Sequence, residues 1–366
     1  MNARQRFLET LQFGCPDRIP LVEWPIRQST LEAWQTQGLI TTPEAYFSLD
    51  PYFLSVPINV SFCPRFEPVI IEETEHFKIW IDEEGATRKD FKDDKTPGFV
   101  TRSWLRFPVE NRDDFIKMKE RYNPLTDERY PCNWPNIAAA LRESAASTRL
   151  TIPFLFWTVR QWMGFEGACM CFYDDPGLMH EMMDYITEFV IQTLEQGFWE
   201  ANVDVVILSE DMAYKGASMI SPKMFREFML DNYKKLVGYL KGKGVKVVLV
   251  DSDGDPSALI PLWIEAGVDG LSPVEIAAGT DPVRIRKEYG KEFCLLGGID
   301  KRVLATTKQA IFDEVMSKVP YLLETGGYIP HTDHAVPPDI PLTNFVYYRD
   351  LIRRLAEGEK VLPPRD

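Results

Sequence analysis

The chain has 366 residues, 45% of them apolar, and carries 55 acidic against 41 basic side chains for a net charge of −14. That length buries a large core without disulfides or a structural metal, and the acidic balance argues against nucleic acid and anionic membrane as partners, since both reward a basic face. The start MNARQRFLETLQF is polar and helical rather than a signal peptide, and no apolar run reaches the ~18 residues of a membrane span. The six cysteines are scattered without a CxxC pair, so a reducing cytoplasm and free thiols are the expectation.

In chain order, IPLVEW (19–24) and VPINV (56–60) read as early strands after the first helix. The segment 76–115 alternates apolar and polar residues around Glu84-Gly85, a hairpin pattern inside an otherwise α/β chain. It reads as an insertion over one end of the fold, a lid or a partner surface. TIPFLFW (151–157) is the next strand, and Cys169 and Cys171 in GACMCFYDDP read as small apolar residues on a half-buried segment. VDVVILSED (203–211) follows. SPKMFREFMLDNYKKLVGYLKGKG then opens with Ser221 as N-cap, has Pro222 just inside, and ends at Gly242 and Gly244, which predicts a helix. VKVVLVDSD (245–253), VDGLSPVE (268–275), FCLLGGID (293–300) and GGYIPHTD (326–333) complete the strands, with helix-then-glycine segments between them. Near-continuous apolar strands alternating with helices predict a parallel sheet covered by helices. Eight candidate strands favour a single (β/α)8 TIM barrel spanning 1–366 with the 76–115 insertion, and EGEKVLPPRD as a frayed tail.

Chemistry in such a barrel sits at the C-terminal ends of the strands. Asp255 and Asp281 each precede a proline and read as helix caps, as does Asp300 before KRVLATTKQ. Asp251 and Asp253 are two carboxylates where a cap needs one, and alternate positions on an extended segment point the same way. Glu210 ends the strand before them, and HTDHAVPPD gathers His331, Asp333 and His334 in one stiffened loop. Such a set suits a divalent cation held by Asp251, Asp253, His331 and Asp333, an acid that protonates a substrate, or a hydrogen-bonded cluster that orders the barrel mouth. His76 and His180 read as structural.

NARQRFLETLQFGCPDRIPL, GFEGACMCFYDDPGLMHEMMD, DMAYKGASMISPKMFREFMLDNYKKL and GGYIPHTDHAVPPDIPLTNFVYYRDLIRRL together resemble the uroporphyrinogen decarboxylase superfamily over nearly the whole chain. The resemblance implies a (β/α)8 barrel and one of three activities: decarboxylation of uroporphyrinogen, methyl transfer from a corrinoid protein to a thiol, or methyl transfer involving folates. The decarboxylases' Arg-Gln-Ala-Gly-Arg-Tyr-x-Pro-Glu stretch is matched here only by Arg27 and Gln28. The thiol methyltransferases' His-x-Cys-Gly zinc motif aligns with Asp251-Ser252-Asp253-Gly254, both ligand positions being aspartate.

The resulting expectation is a corrinoid-linked methyltransferase acting on a small one-carbon donor or acceptor such as a reduced folate. The alternatives are a decarboxylase of uroporphyrinogen or another carboxylated substrate, and a non-catalytic ligand-binding barrel. Asp251, Asp253 and Glu210 are the candidate catalytic residues; Arg27, His331, Asp333 and His334 are the candidate substrate contacts. A corrinoid carried by a partner protein, a divalent metal and a homo-oligomer are compatible with this reading.

Overall fold

In the computed structural model, which describes residues 1–93 and 101–364, the apolar runs become parallel strands that pair in chain order. They are β1 (Phe53–Ser55), β2 (Ser147–Pro153), β3 (Val205–Ser209), β4 (Val247–Asp251), β5 (Gly270–Val274), β6 (Cys294–Ile299) and β7 (Tyr328–Thr332). From β3 to β7 nearly every strand residue is buried, as strands with two covered faces require. Among the described residues the parallel sheet has seven strands where eight were expected, an α/β, TIM-barrel-like architecture with an antiparallel insertion in its N-terminal third. Three early boundaries differ from expectation. TIPFLFW straddles an element boundary: the strand ends at Pro153, and Leu155 already begins the helix Leu155–Asp174. VPINV lies just beyond β1, its Val56 amide donating to the Arg149 carbonyl at 2.8 Å.

IPLVEW is the third difference. It forms no ladder strand, because Pro20 and Pro25 remove donors on either side. The segment is held instead by single contacts. The Asp50 amide donates to the Leu21 carbonyl (2.8 Å), and Val336 and Arg27 exchange bonds with the Pro25 and Val336 carbonyls (3.3 Å each). The Glu23 side chain completes the connection. Its Oε1 accepts from both the Thr332 amide and the Thr332 hydroxyl on β7, each at 2.8 Å. Its Oε2 pairs with Arg349 at 3.0 Å, on the helix Leu342–Ala356.

The barrel floor follows from period-two alternation. The register pairs Val205 with Val247, Ile207 with Leu249 and Ser209 with Asp251. The first two pairs join Cys294, Leu296 and Ile329 in one core, closed by Phe7 and Leu11 of the N-terminal helix Ala3–Leu11. That helix is started by a capping box between Asn2 and Gln5. The third pair is polar: the inward row that begins at Val247 ends at Asp251.

Contacts divide the chain into two compact units, one of Met1–Val56, Pro135–Ile152 and Trp199–Asp366, the other of Pro57–Trp134 and Pro153–Phe198. The second contains the helices Leu155–Asp174 and Pro176–Glu195 and a four-stranded antiparallel sheet, Val69–Glu73, Phe77–Ile81, Thr87–Phe91 and Arg102–Arg106. The Glu84-Gly85 hairpin lies between its second and third strands. The sheet starts before residue 76, at a strand whose apolar residues are exposed and so give no alternation signal. Residues 94–100 of the expected insertion lie outside the described residues.

Candidate active site

The loops that follow β3 and β4 are zipped together by backbone and side-chain bonds. The Glu210 and Asp211 amides both donate to the Asp251 carbonyl (2.9 and 3.2 Å). The Met212 amide donates to Ser252 Oγ (3.1 Å), and the Asp253 amide to Asp211 Oδ1 (3.2 Å). Asp211 sits in the left-handed region (φ 49°), a conformation that aspartate tolerates better than most residues. Gly254 has φ 85°, and a Cβ there would stand 2.5 Å from the Ala213 carbonyl carbon. No side chain fits where those two loops cross.

Beside this junction lies a cavity of about 790 Å³ at the C-terminal end of the strands. Its walls come from Glu23–Ile26, from Tyr52 and Phe53 at β1, from Arg149 and Thr151 on β2, from Ile207, and from Asp251 and Ser272. Trp24 stacks on His331, ring centroids 5.3 Å apart and planes 23° from parallel. Asp251 is the carboxyl that the cavity shares with the loop junction. Burial, then the neighbouring charges of Asp253 and Asp211, push its pKa up to about 7, against weaker opposing pulls from the Ser209 hydroxyl and Arg149. Burial also raises the pKa of Tyr52.

The other sequence candidates fall in distinct places. Asp253 projects past the strand end and pairs with His334 (Oδ2 to Nε2, 3.4 Å), which raises the affinity of that imidazole for a proton. Glu210 is fully buried and accepts from the Tyr233 hydroxyl at 2.6 Å, outside the cavity lining. Asp333 is also fully buried: its Oδ1 accepts from the amide and Nζ of Lys301 (3.1 and 3.4 Å) and its Oδ2 from the Ala277 amide (3.3 Å). It ties three strand-end loops together. His331 lies behind Trp24 with Nδ1 donating to the Thr332 carbonyl at 2.7 Å, and burial lowers its pKa. Arg27 is exposed at the N-cap of the helix Gln28–Thr36, outside the lining residues. Asp281 and Asp300 accept from backbone amides at the starts of their helices, as caps do, whereas Asp255 lies one residue ahead of the N-cap Pro256 and accepts from the Ser257 amide.

The fit of a divalent metal is decided by the donors. Both oxygens of Asp333 are engaged, whereas His331 donates Nδ1 to a backbone carbonyl and keeps Nε2 buried without a partner. Among the described residues no group of three His, Cys, Asp or Glu side chains is arranged to hold a metal ion. Asp251, Asp253, His331 and Asp333 therefore do not fit as one coordination set.

Glu23, Trp24, Tyr52 and Arg149 line the cavity but were not legible as site residues. Arg149 had a signal available: a lone arginine inside STRLTIP, between the buried Leu150 and Thr148, on the face of β2 that also carries Thr151.

Residues 156–355 match the family model described as uroporphyrinogen decarboxylase (URO-D). Over 196 residues the chain is 24% identical to the uroporphyrinogen decarboxylase of Hydrogenovibrio crunogenus, covering 50% of this chain and 52% of that one. Over 265 residues it is 24% identical to the protein of that name from Serratia proteamaculans, with 67% and 70% covered. The chain spans about half the length of the curated relatives it matches first. Among solved structures, a methyltransferase from Methanosarcina mazei superposes with a TM-score of 0.60 at 15% identity, covering 97% of this chain and 99% of that one. At that identity the likeness concerns the fold.

Proposed function

The chain belongs to the uroporphyrinogen decarboxylase family, and on that premise we propose that it is a methyltransferase that moves a one-carbon unit between a small nitrogen-bearing molecule and a corrinoid carried by a partner protein. Asp251 carries this reading. A carboxyl at the catalytic end of the barrel, holding its proton up to about pH 7, is suited to protonate a leaving nitrogen.

In the donor direction, the small molecule releases its methyl group as the C–N bond breaks, and the electron pair of that bond stays on nitrogen. A tertiary amine is a poor leaving group until it is protonated, and Asp251 supplies that proton from inside the cavity. Trp24, Tyr52 and Phe53 form its aromatic walls. The corrinoid is a co-substrate and supplies the methyl-accepting centre.

The charge of the cavity favours this reading over decarboxylation of uroporphyrinogen. The lining has one basic side chain, Arg149, against the carboxyls of Glu23, Glu44 and Asp251. An octacarboxylate substrate calls for several fixed cations. Decarboxylation remains the second reading because the curated relatives bear that name.

One experiment separates the two. Purified protein is mixed under anaerobic conditions with cob(I)alamin and a panel of tertiary amines and methylated reduced folates, and the loss of cob(I)alamin absorbance is followed. In parallel, uroporphyrinogen is offered and its products are separated by chromatography. Methyl transfer that is lost in Asp251→Asn is the expected result. Asp251-dependent decarboxylation without cobalamin methylation would overturn the proposal.

A further inference from the structure

The other buried arginines among the described residues engage their terminal nitrogens, although the Nε atoms of Arg286 and Arg349 are, like that of Arg149, buried without a partner. Arg129 donates to the carbonyls of Asn59, Arg121 and Asn123. Arg286 donates to those of Phe293 and Gly327, Arg349 pairs with Glu23, and Arg6 with Asp17 and Asp50. Arg149 differs in that it lines the cavity and none of its side-chain donors bonds to a described residue. Its Nε is buried without a hydrogen-bond partner, and its side chain forms no ion pair with a described residue. The guanidinium lies 5.0 Å from the ring centre of Phe53, which holds its plane without using its donors.

A guanidinium is a permanent cation with five donors in a fixed fork. Leaving part of that fork buried and unmatched is costly unless something else completes it. In an acidic protein with carboxylates nearby, none of them closes on Arg149. The cavity in front of it has planar walls, Trp24 and Tyr52, and ample volume for a ring.

We propose that Arg149 is an anion-recognition residue: it binds one carboxylate of the substrate through its free donors while the planar body of the same molecule lies against Trp24 and Tyr52. The ligand class is therefore a small planar molecule bearing a single carboxylate. This rests on reading the cavity as the substrate site, and not on which group is transferred.

The test is binding without turnover, so that it stands or falls separately from the methyl-transfer assay. Benzoate and its neutral isostere benzamide are titrated into the full-length protein by calorimetry, and into Arg149→Met and Arg149→Lys. A charge-assisted, forked contact predicts that benzoate binds roughly 10-fold or more tightly than benzamide in the unsubstituted protein. Arg149→Met should lose that preference while retaining benzamide binding, and Arg149→Lys should keep part of it. If Arg149→Met fails to fold, the comparison of the two ligands on the unsubstituted protein and on Arg149→Lys decides. Benzoate binding no better than benzamide, absent binding included, overturns the proposal, as does an Arg149→Met protein whose preference is unchanged.

Discussion

Asp251 links chemistry to stability at the scale of a single residue. Its pKa rises from 3.8 in the unfolded chain to about 7 in the fold, so the folded protein holds this proton more tightly than the unfolded one does. Below pH 4 both states are protonated and the residue contributes no difference. As pH rises through the window from about 4 to about 7, the fold loses stability, and above about 7 the full penalty is present. Asp251→Asn should therefore raise the melting temperature by about 2–5 °C at pH 8 and leave it nearly unchanged at pH 4, as read by thermal denaturation. An equal shift at both pH values would show that the carboxyl is not held in its protonated form. The same group sets the rate. With Asp251 as acid, turnover should fall as pH rises through about 7, and Asp251→Asn should cost roughly 100-fold or more and flatten that limb. Greater stability with lower activity is the behaviour expected of a functional carboxyl kept in a costly place.

At the scale of elements, the strands β3 to β7 were legible because a strand covered on both faces has to be apolar throughout. The polar residue that ends such a run is then conspicuous, and Asp251 was found in this way. The early elements were less legible for physical reasons. FLFW is apolar in either conformation, so a short run there does not distinguish the end of β2 from the start of a helix. Val69–Glu73 exposes its apolar residues, and Arg149 looks like an ordinary solvent-facing strand residue until the barrel turns its face inward. IPLVEW has the composition of a strand, yet its prolines cannot donate, and one side chain does the work of a ladder. Glu23 and Arg349 have side chains only 2% and 4% exposed. Glu23→Ala would leave a buried guanidinium unpaired and two donors of Thr332 unmatched. We expect it to cost about 3–5 kcal/mol in urea unfolding. Glu23→Gln, which keeps an acceptor for Thr332, should cost less. A loss below about 1 kcal/mol for Glu23→Ala would mean that this segment is held by its apolar residues Leu21 and Val22 instead.

For the whole molecule, the net charge of −14 and the anion-binding arginine pull in opposite directions. A negatively charged ligand approaches against the field of the protein and gains its attraction only at close range, where Arg149 and the low-dielectric walls act. Salt separates these two contributions, because screening over a Debye length of about 10 Å at 0.1 M weakens the long-range repulsion far more than a contact inside a cavity. For a carboxylate substrate, kcat/KM should accordingly rise about two- to threefold as ionic strength increases from about 10 to 200 mM, mainly through faster association, and for a neutral analogue it should stay flat. A steep fall with salt, seen in steady-state kinetics at several ionic strengths, would mean that approach is steered by a basic surface which the composition does not supply. The acidic surface thus makes charge a filter. It disfavours polyanions, whose repulsion grows with every added carboxylate, more than a molecule with one, and a lone arginine inside the barrel has only one such group to satisfy.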